Sequence, residues 1–391
     1  MKNVLIYFGN YCSEDSRGGT EVATYRIAKA LKDTGLVNVF HAFHNGEEKT
    51  ENSIYSSTVR LSKNPAKLIE SLSEYIDKEK IDHIIVMGRF FKFDKIKKAA
   101  EKSSRTPRLY FMQHFAPGSE RKKTTYKSSW HLLRLNPKRT RYYFRALFYP
   151  LLKLPRTLRW GKVYRDVYEG SDKVILLSDG YKKDYSKVAA LRDDSKFVAI
   201  PNIFENEVIE SKVPKEKRVL ILSRMDEIQK RISVALDIWE RIENDPDLSE
   251  WHLDIVGDGN NMDIVRRLVK KKGFSNVKIH GWKDRTPFLE RSSILMMTSE
   301  YEGLPLSLLE AQAHGVVPIA FDSFASLRDV ITEYENGVIV DRYGDIDDYT
   351  KKLSELMYDE AYRNELSRNA RKGNSRFTSK KVAEEWLKIL T

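Results

Sequence analysis

Residues 294–310 read ILMMTSEYEGLPLSLLE, and the fold follows from this stretch. Ile294–Leu295–Met296–Met297 is a short continuous apolar run, the pattern of a strand buried on both faces of a parallel sheet. Ser299 to Gly303 supplies a loop. Pro305 suits the first position of a helix, where its missing N–H costs nothing. In an open parallel sheet, ligands sit at this end of the strands. The amides of Gly303, Leu304 and Leu306 are therefore expected as donors at a helix N-terminus, favouring an anion such as phosphate. Glu302 is expected at the mouth of that crevice. Glu310 is the odder carboxylate, because its helical neighbours are Leu306, Leu309, Ala311 and Ala313. A carboxylate among apolar residues needs donors, and the two adjacent hydroxyls of a sugar diol are one such set.

Outward from this stretch, short apolar strands alternate with amphipathic helices, which argues for an α/β protein with parallel sheets. The first half shows strands at 4–8, 37–44, 83–88, 109–114, 174–178 and 197–201, with helices at 20–34, 65–78, 94–103 and 181–190. A second series has strands at 218–222, 252–256, 277–280, 294–298, 316–321 and 338–340, with helices at 230–242, 262–272, 306–314 and 345–357. Between them, Glu205–Lys217 reads as a linker. Two such series of similar size imply two facing Rossmann-like domains with an interdomain cleft, at 1–205 and 206–375. The final helix, 380–390, carries Val382, Trp386, Leu387 and Leu390 on one face and so docks on another element.

The 391 residues are 41% hydrophobic, enough for two ordinary cores. A single cysteine, Cys12, excludes an internal disulfide and fits a reducing compartment. The opening MKNVLIYFGN reads as a first strand rather than a signal peptide. No segment approaches ~20 apolar residues, so the expectation is a cytoplasmic protein, soluble or peripheral. The net charge of +12 is local: residues 121–165 hold 14 Lys or Arg and no Asp or Glu. Aromatic residues and leucines are interleaved there, including Tyr142, Tyr143, Phe144, Leu147, Phe148, Leu151 and Leu158. That composition suits an anionic membrane surface. Two alternatives stand beside it: a helical insertion that only packs on the first domain, and an RNA-binding patch, for which no recognised motif is present.

Arg224 ends the first strand of the second series and Lys230 opens the following helix region. Two cations beside the strand-end crevice could neutralise a diphosphate without a metal. The plainer alternative is a surface pair bridging to Asp226 or Glu227. Gly257–Asp258–Gly259 reads first as a tight turn in which Asp258 caps a helix. Gly281 reads either as a turn glycine or as backbone flanking a nucleotide base. Gly18 and Gly19 precede a helix and leave bare backbone open to a phosphate or sugar. His114 falls at a strand's C-terminal end, facing the crevice. The other histidines show no metal-ligand spacing, and neither a Ser–His–Asp signature nor a P-loop is present.

Taken together, these pieces resemble glycosyltransferase family 4, retaining enzymes of the GT-B fold that use nucleotide-sugar donors. The resemblance rests on Gly18–Gly19 in RGGTEVATYRIAKAL, His114, Pro201–Asn202, Arg224 with Lys230, Gly257–Asp258–Gly259, Gly281, and Glu302 with Glu310 across seven intervening residues. It is dense over 218–345 and thinner before 205. It implies that Arg224 and Lys230 hold the donor diphosphate, Glu302 contacts the transferred sugar and Glu310 binds the ribose diol. It also implies that His114 reaches the sugar from the opposite domain, that Gly19 lets its loop approach the phosphates and acceptor, and that residues 376–391 cross back onto the first domain. Two departures stand out. The Arg-to-Lys gap is six where many members show five, so the loop Met225–Gln229 is one residue longer. Ile203 follows Pro201–Asn202 where glycine is frequent.

The resemblance implies a metal-independent transfer with no cofactor beyond a UDP- or GDP-linked donor. Cleaving the sugar–phosphate bond leaves positive charge on the ring and negative charge on the nucleoside diphosphate, which fixed cations and helix amides stabilise. Retention implies same-face attack with no covalent sugar–enzyme intermediate. The expected acceptor is a lipid-linked or oligosaccharide glycan of cell-surface polysaccharide or lipopolysaccharide assembly, met at the inner face of the plasma membrane. No nucleic-acid partner is expected. A nucleotide-sugar epimerase and an inactive membrane-tethered binding protein are the alternatives.

Overall fold

The computed structural model describes residues 1–16, 18–48, 53–88, 90–122, 125–135, 141–205, 213–373 and 375–391. Parts of two sequence expectations, 206–212 of the linker and 123–124 and 136–140 of the basic segment, lie outside them. The chain divides into two compact units: 1–118 with 155–205 and 375–391, and 119–154 with 206–374.

The first unit is built on a parallel sheet ordered β3-β2-β1-β4-β5-β6-β7. Its strands are β1 (Lys2–Tyr7), β2 (Val37–Phe43), β3 (Ser57–Arg60), β4 (His83–Met87), β5 (Arg108–Gln113), β6 (Lys173–Leu176) and β7 (Phe197–Ala199). β4 is buried at every position, the continuous apolar pattern of a strand covered on both faces. The order reverses between β1 and β4. Helix α1 (Gly19–Asp33) follows β1 and buries Ala23, Ile27, Ala28 and Leu31, an i, i+4, i+8 stripe. The C-terminal helix Ser379–Leu390 packs against α1 and buries Val382, Trp386 and Leu390. The Tyr110 hydroxyl on β5 donates to Ile389 O at 2.9 Å.

The basic segment is helical. Its described parts include α2 (Tyr126–Leu135) and α3 (Arg141–Gly170). The sequence reading placed 121–165 wholly in the first domain; here residues 119–154 group with the second unit. The physical reason is apolar contact: Leu132 and Leu133 on α2 are buried against Ile264 of the second unit. The C-terminal part of α3 belongs to the first unit, where Tyr164, Val167 and Tyr168 are buried. No helix among the described residues is long and apolar enough to cross a membrane.

The second unit's sheet is also parallel, ordered β10-β9-β8-β11-β12-β13. The strands are β8 (Arg218–Leu222), β9 (His252–Val256), β10 (Val277–Gly281), β11 (Ile294–Met297), β12 (Val317–Phe321) and β13 (Val338–Val340). Here the reversal lies between β8 and β11, paired at Ile294↔Val219 and Leu295↔Leu220. Helices α4 (Ile232–Glu243), α5 (Met262–Lys272), α6 (Thr286–Arg291) and α7 (Leu306–Ala313) follow β8, β9, β10 and β11 in turn. Trp239, Leu236, Leu253, Ile255 and Ile319 lie in one buried core. Pro318 is tolerated inside the sheet because β12 pairs with β13 only from Ile319 onward.

Candidate functional site

The reversal of strand order in the second sheet brings the loops after β8 and β11 side by side, although β9 and β10 intervene in the chain. A crevice for ligands forms at such a point, and the predicted residues gather there. Lys230 Nζ lies 2.5 Å from Glu302 Oε1. The pair is largely buried, with side chains 14% and 9% exposed. Glu302 Oε2 accepts from Gln229 Nε2 at 3.0 Å, and that amide also reaches Tyr301 O at 3.2 Å. Arg224 Nη2 donates to Gln229 Oε1 at 3.1 Å. Arg224, Gln229, Lys230 and Glu302 therefore form one connected polar group. Gln229 was not singled out in the sequence, where it carried no signal beyond its place in the lengthened loop.

The backbone of the loop is held as firmly. Lys230 N–H donates to Asp226 O at 2.7 Å, and Glu300 N–H to Gln229 O at 2.7 Å. Thr298 Oγ1 donates to the carbonyls of Lys230 and Arg231 at 3.0 and 3.1 Å. Arg231 adopts a left-handed φ of 52° as the N-cap of α4, and its guanidinium pairs with Glu300. Of the two alternatives weighed for the cations, the structure bears only on the bridge to Asp226 or Glu227, and it holds for one of the pair. Arg224 stands 3.7 Å from Asp226, but Lys230 pairs with Glu302 rather than with a neighbour in its own loop.

Gly257 and Gly259 pack β9's loop onto β8's loop. Gly257 has φ +135°, and a side chain there would collide with Ser223 O. A Cβ on Gly259 would lie 2.7 Å from Met225 O. Gly281 has φ +69°, and its carbonyl accepts from Gly257 N–H at 2.8 Å.

Helix α7 begins at Leu306, as the 306–314 expectation had it, but Pro305 caps the helix rather than opening it. The Leu306 amide donates to Leu304 O at 3.0 Å, so the expectation of a free Leu306 donor is corrected: the turn before the helix folds back and uses it. Among the described residues the Gly303 and Leu304 amides have no acceptor, while Gly303 O accepts from Ser326 Oγ at 2.7 Å. Glu310, expected to need donors, has Arg285 Nη1 at 2.9 Å. Arg285 precedes α6 and went unnoticed in the sequence, because nothing local links it to α7.

The predicted residues of the first unit form groups of their own. His114 lies one residue beyond β5 and is 6% exposed. Burial pushes its pKa down to about 4, and Asn202 beside it acts weakly in the opposite direction. Neither ring nitrogen nor Asn202 Oδ1 makes a well-formed hydrogen bond within the protein. A neutral imidazole and an amide oxygen thus stand as unsatisfied buried groups, the kind a ligand hydroxyl satisfies. Gly88, missed in the sequence, adjoins this ring: its φ is +63° and a Cβ there would lie 3.5 Å from His114 Cδ2. Ile203 is buried at 2% exposure, so its side chain serves packing. At the start of α1, Glu21 reaches back to Gly18 N–H at 3.2 Å and accepts from Asn10 Nδ2 at 2.5 Å. A Cβ on Gly19 would meet nothing within 4 Å. Among the described residues no group of three or more His, Cys, Asp or Glu side chains comes together that could hold a metal ion.

Residues 203–373, which contain the whole Arg224–Lys230–Glu302 group, match the family described as "Glycosyl transferases group 1". This part of the chain is thus similar to the group 1 glycosyl transferases. The group 1 match is extended by individual relatives. The amylovoran biosynthesis glycosyltransferase AmsD of Erwinia amylovora is 29% identical over 178 residues, 45% of this chain and 48% of that protein. The Campylobacter jejuni enzyme named GalNAc-alpha-(1->4)-GalNAc-alpha-(1->3)-diNAcBac-PP-undecaprenol alpha-1,4-N-acetyl-D-galactosaminyltransferase is 26% identical over 233 residues, 59% of this chain and 63% of that one. The chain thus spans less than two thirds of the length of these curated relatives. Among solved structures, Anabaena Alr3699/HepE in complex with UDP superposes with a TM-score of 0.73 at 14% identity, covering 100% of this chain and 99% of that one. At that identity the likeness is one of fold. The chain has the GT-B fold, each unit built on its own parallel sheet.

Proposed function

We propose that this protein is a glycosyltransferase that moves a sugar from a nucleotide-sugar donor to a glycan acceptor in cell-surface polysaccharide or lipopolysaccharide synthesis. One observation carries this reading: Arg224, Lys230 and Glu302 converge where strand order reverses in the second sheet. Lys230 and Arg224 bind the donor diphosphate and take up the negative charge of the leaving group. The amides of Gly303 and Leu304 add donors at the start of α7. Glu302 receives the sugar's hydroxyls, and Glu310 exchanges Arg285 for the ribose diol. In the first unit His114, held neutral by burial, and Asn202 offer hydroxyl partners. The names of the relatives support polysaccharide assembly, and the Campylobacter enzyme's name includes an undecaprenol-linked acceptor.

The finer reading is a retaining, metal-independent hexosyl transfer from a UDP- or GDP-linked donor. Incubation with a panel of UDP- and GDP-sugars tests it through release of nucleoside diphosphate, with the product anomer read by NMR and EDTA added in parallel. Release that survives both Lys230→Ala and Glu302→Ala would show the site to be misplaced. Isomerised donor without release would instead indicate an epimerase.

The acceptor, on this reading, is lipid-linked and met at an anionic membrane surface. Along α3, Phe144, Leu147, Phe148, Leu151, Leu154 and Leu158 are all exposed, Leu147 and Leu151 at 71% and 73%. At 3.6 residues per turn they fall within about 120° of the helix circumference. Tyr164, Val167 and Tyr168, buried in the first unit, lie on the other side of the same helix. Rotating α3 to bury the stripe would expose those residues instead. An apolar stripe within a segment of strongly positive charge suits an anionic bilayer interface.

A further inference from the structure

We infer that His131 on α2 is a positioning residue for the loop that presents Lys230. This rests on the reading of Lys230 as a donor contact. The loop's anchor is Glu227, which is fully buried. Its carboxylate accepts from Ser233 N–H at 3.0 Å, from Ser233 Oγ at 2.7 Å and from His131 Nε2 at 3.2 Å. Its own N–H donates to Asn261 Oδ1 at 3.0 Å. One side chain thus ties the loop to the start of α4 and to α2, and its backbone to the N-cap of α5.

A carboxylate in that position is tolerated only while its donors are in place, because a buried acceptor without a partner keeps its full desolvation penalty. Of the three donors, two come from Ser233, six residues away in the same stretch. His131 is the one supplied from 96 positions away. Removing it favours movement of Glu227 toward water, and the loop backbone moves with it. Lys230 is three residues from this anchor, and Arg231 is held in a left-handed conformation that costs ~1 kcal/mol or more unless its surroundings enforce it.

A second contact by the same segment acts on the neighbouring loop. Lys122 Nζ donates to Glu300 O at 3.4 Å and lies 5.4 Å from the centre of the Tyr301 ring. Lys122 and His131 therefore touch the loops after both β11 and β8, the two that carry Glu302 and Lys230. The basic segment, which the sequence reading connected with a membrane surface, with packing or with RNA, also braces the donor site.

The test uses the full chain with His131→Ala and His131→Gln. Glutamine places an amide donor near the position of Nε2. UDP and GDP binding are measured by calorimetry, together with donor KM, kcat and the thermal midpoint. We expect His131→Ala to weaken binding of the recognised nucleotide about tenfold, the order of one lost buried hydrogen bond, and His131→Gln to restore most of it. Wild-type binding by a folded His131→Ala variant overturns the inference, as does equal loss in His131→Gln. If His131→Ala does not fold, Glu227→Gln takes its place, with the same loss expected and wild-type binding again fatal. Lys230→Ala separates the two levels: if it binds nucleotide as well as wild type, the site reading fails; if it loses binding while His131→Ala does not, only the positioning role fails.

Discussion

Glu302 and Lys230 are 72 positions apart in the chain, yet their charged atoms lie 2.5 Å apart and nearly buried. The charge that would grip a pyrophosphate is therefore already partnered. A buried ion pair gains little net stability, because desolvation offsets most of the attraction. Glu302→Gln leaves Lys230 without its counter-charge. Nucleoside diphosphate should then bind as well as, or better than, in wild type, while sugar transfer falls ~100-fold. Calorimetry with UDP or GDP beside a release assay measures both; parallel loss of binding and transfer would contradict the assignment.

Lys230→Ala should weaken nucleotide binding and transfer together. On the proposed reading it removes a diphosphate contact made in both ground and transition states, and it takes the counter-charge from Glu302. A rise in donor KM of at least about tenfold, with a further fall in kcat, is the expected pattern.

Gly257→Ala should cost several kcal/mol in stability. The backbone there has φ +135°, a region closed to alanine without strain, and the new methyl group would strike the Ser223 carbonyl rather than a movable side chain. A urea midpoint close to wild type would mean that the loops after β8 and β9 can separate.

Arg285→Ala should change stability by less than about 1 kcal/mol, because Arg285 is half exposed in its pair with Glu310. If Glu310 binds the ribose diol, the same variant should bind nucleoside diphosphate at least as well as wild type, since the competing cation is gone. A fall in affinity would assign Arg285 to the nucleotide itself.

Acid should destabilise the fold through two buried imidazoles. His41 is fixed in its neutral form: its Nε2 accepts from Cys12 N–H at 3.2 Å, which leaves Nδ1–H to donate to Ile6 O at 2.9 Å. Burial lowers the pKa of both His41 and His114 to about 4. Between that value and an unfolded-state value of ~6.5, the unfolded chain binds protons that the folded chain refuses. Stability therefore falls as pH drops through this window, by up to ~1.4 kcal/mol per pH unit for each ring. Urea unfolding from pH 4 to 7 measures the slope, and His114→Gln should reduce it; an unchanged slope would show that His114 titrates normally.

Replacing Phe144, Leu147 and Leu151 together by serine should abolish flotation with anionic liposomes while leaving the unfolding midpoint within a degree or two. Those side chains bury little in the fold. Equal flotation of wild type and variant, or none by wild type, would leave the stripe without a lipid role.

Much of the architecture was legible in the sequence because it is written at short range. The helices Pro65–Lys78 and Met262–Lys272 begin and end where capping and periodicity put them. The strand β11 is the apolar run at Ile294–Met297. The identities of Arg224, Lys230, Glu302 and Glu310 as site candidates came from residue type and spacing. Smaller features escaped where the local signal was weak: the edge strand β3 at Ser57–Arg60 is only partly buried, and the place of Pro305 as cap rather than first helical residue goes with a preceding turn that uses the Leu306 amide.

What the chain could not declare locally is which charges meet. Period-2 and period-3.6 patterns report which face of an element is buried, but they carry no information about which element lies alongside. Strand order supplied that information. Because β11 inserts beside β8 rather than beside β10, Lys230 meets Glu302. Because α2 packs on Ile264, His131 reaches Glu227. Because the residue before α6 comes within 2.9 Å of α7, Arg285 pairs with Glu310. Sequence determined the parts and their chemistry; long-range packing alone decided their partners, since an ion pair depends on distance in space and not on separation along the chain.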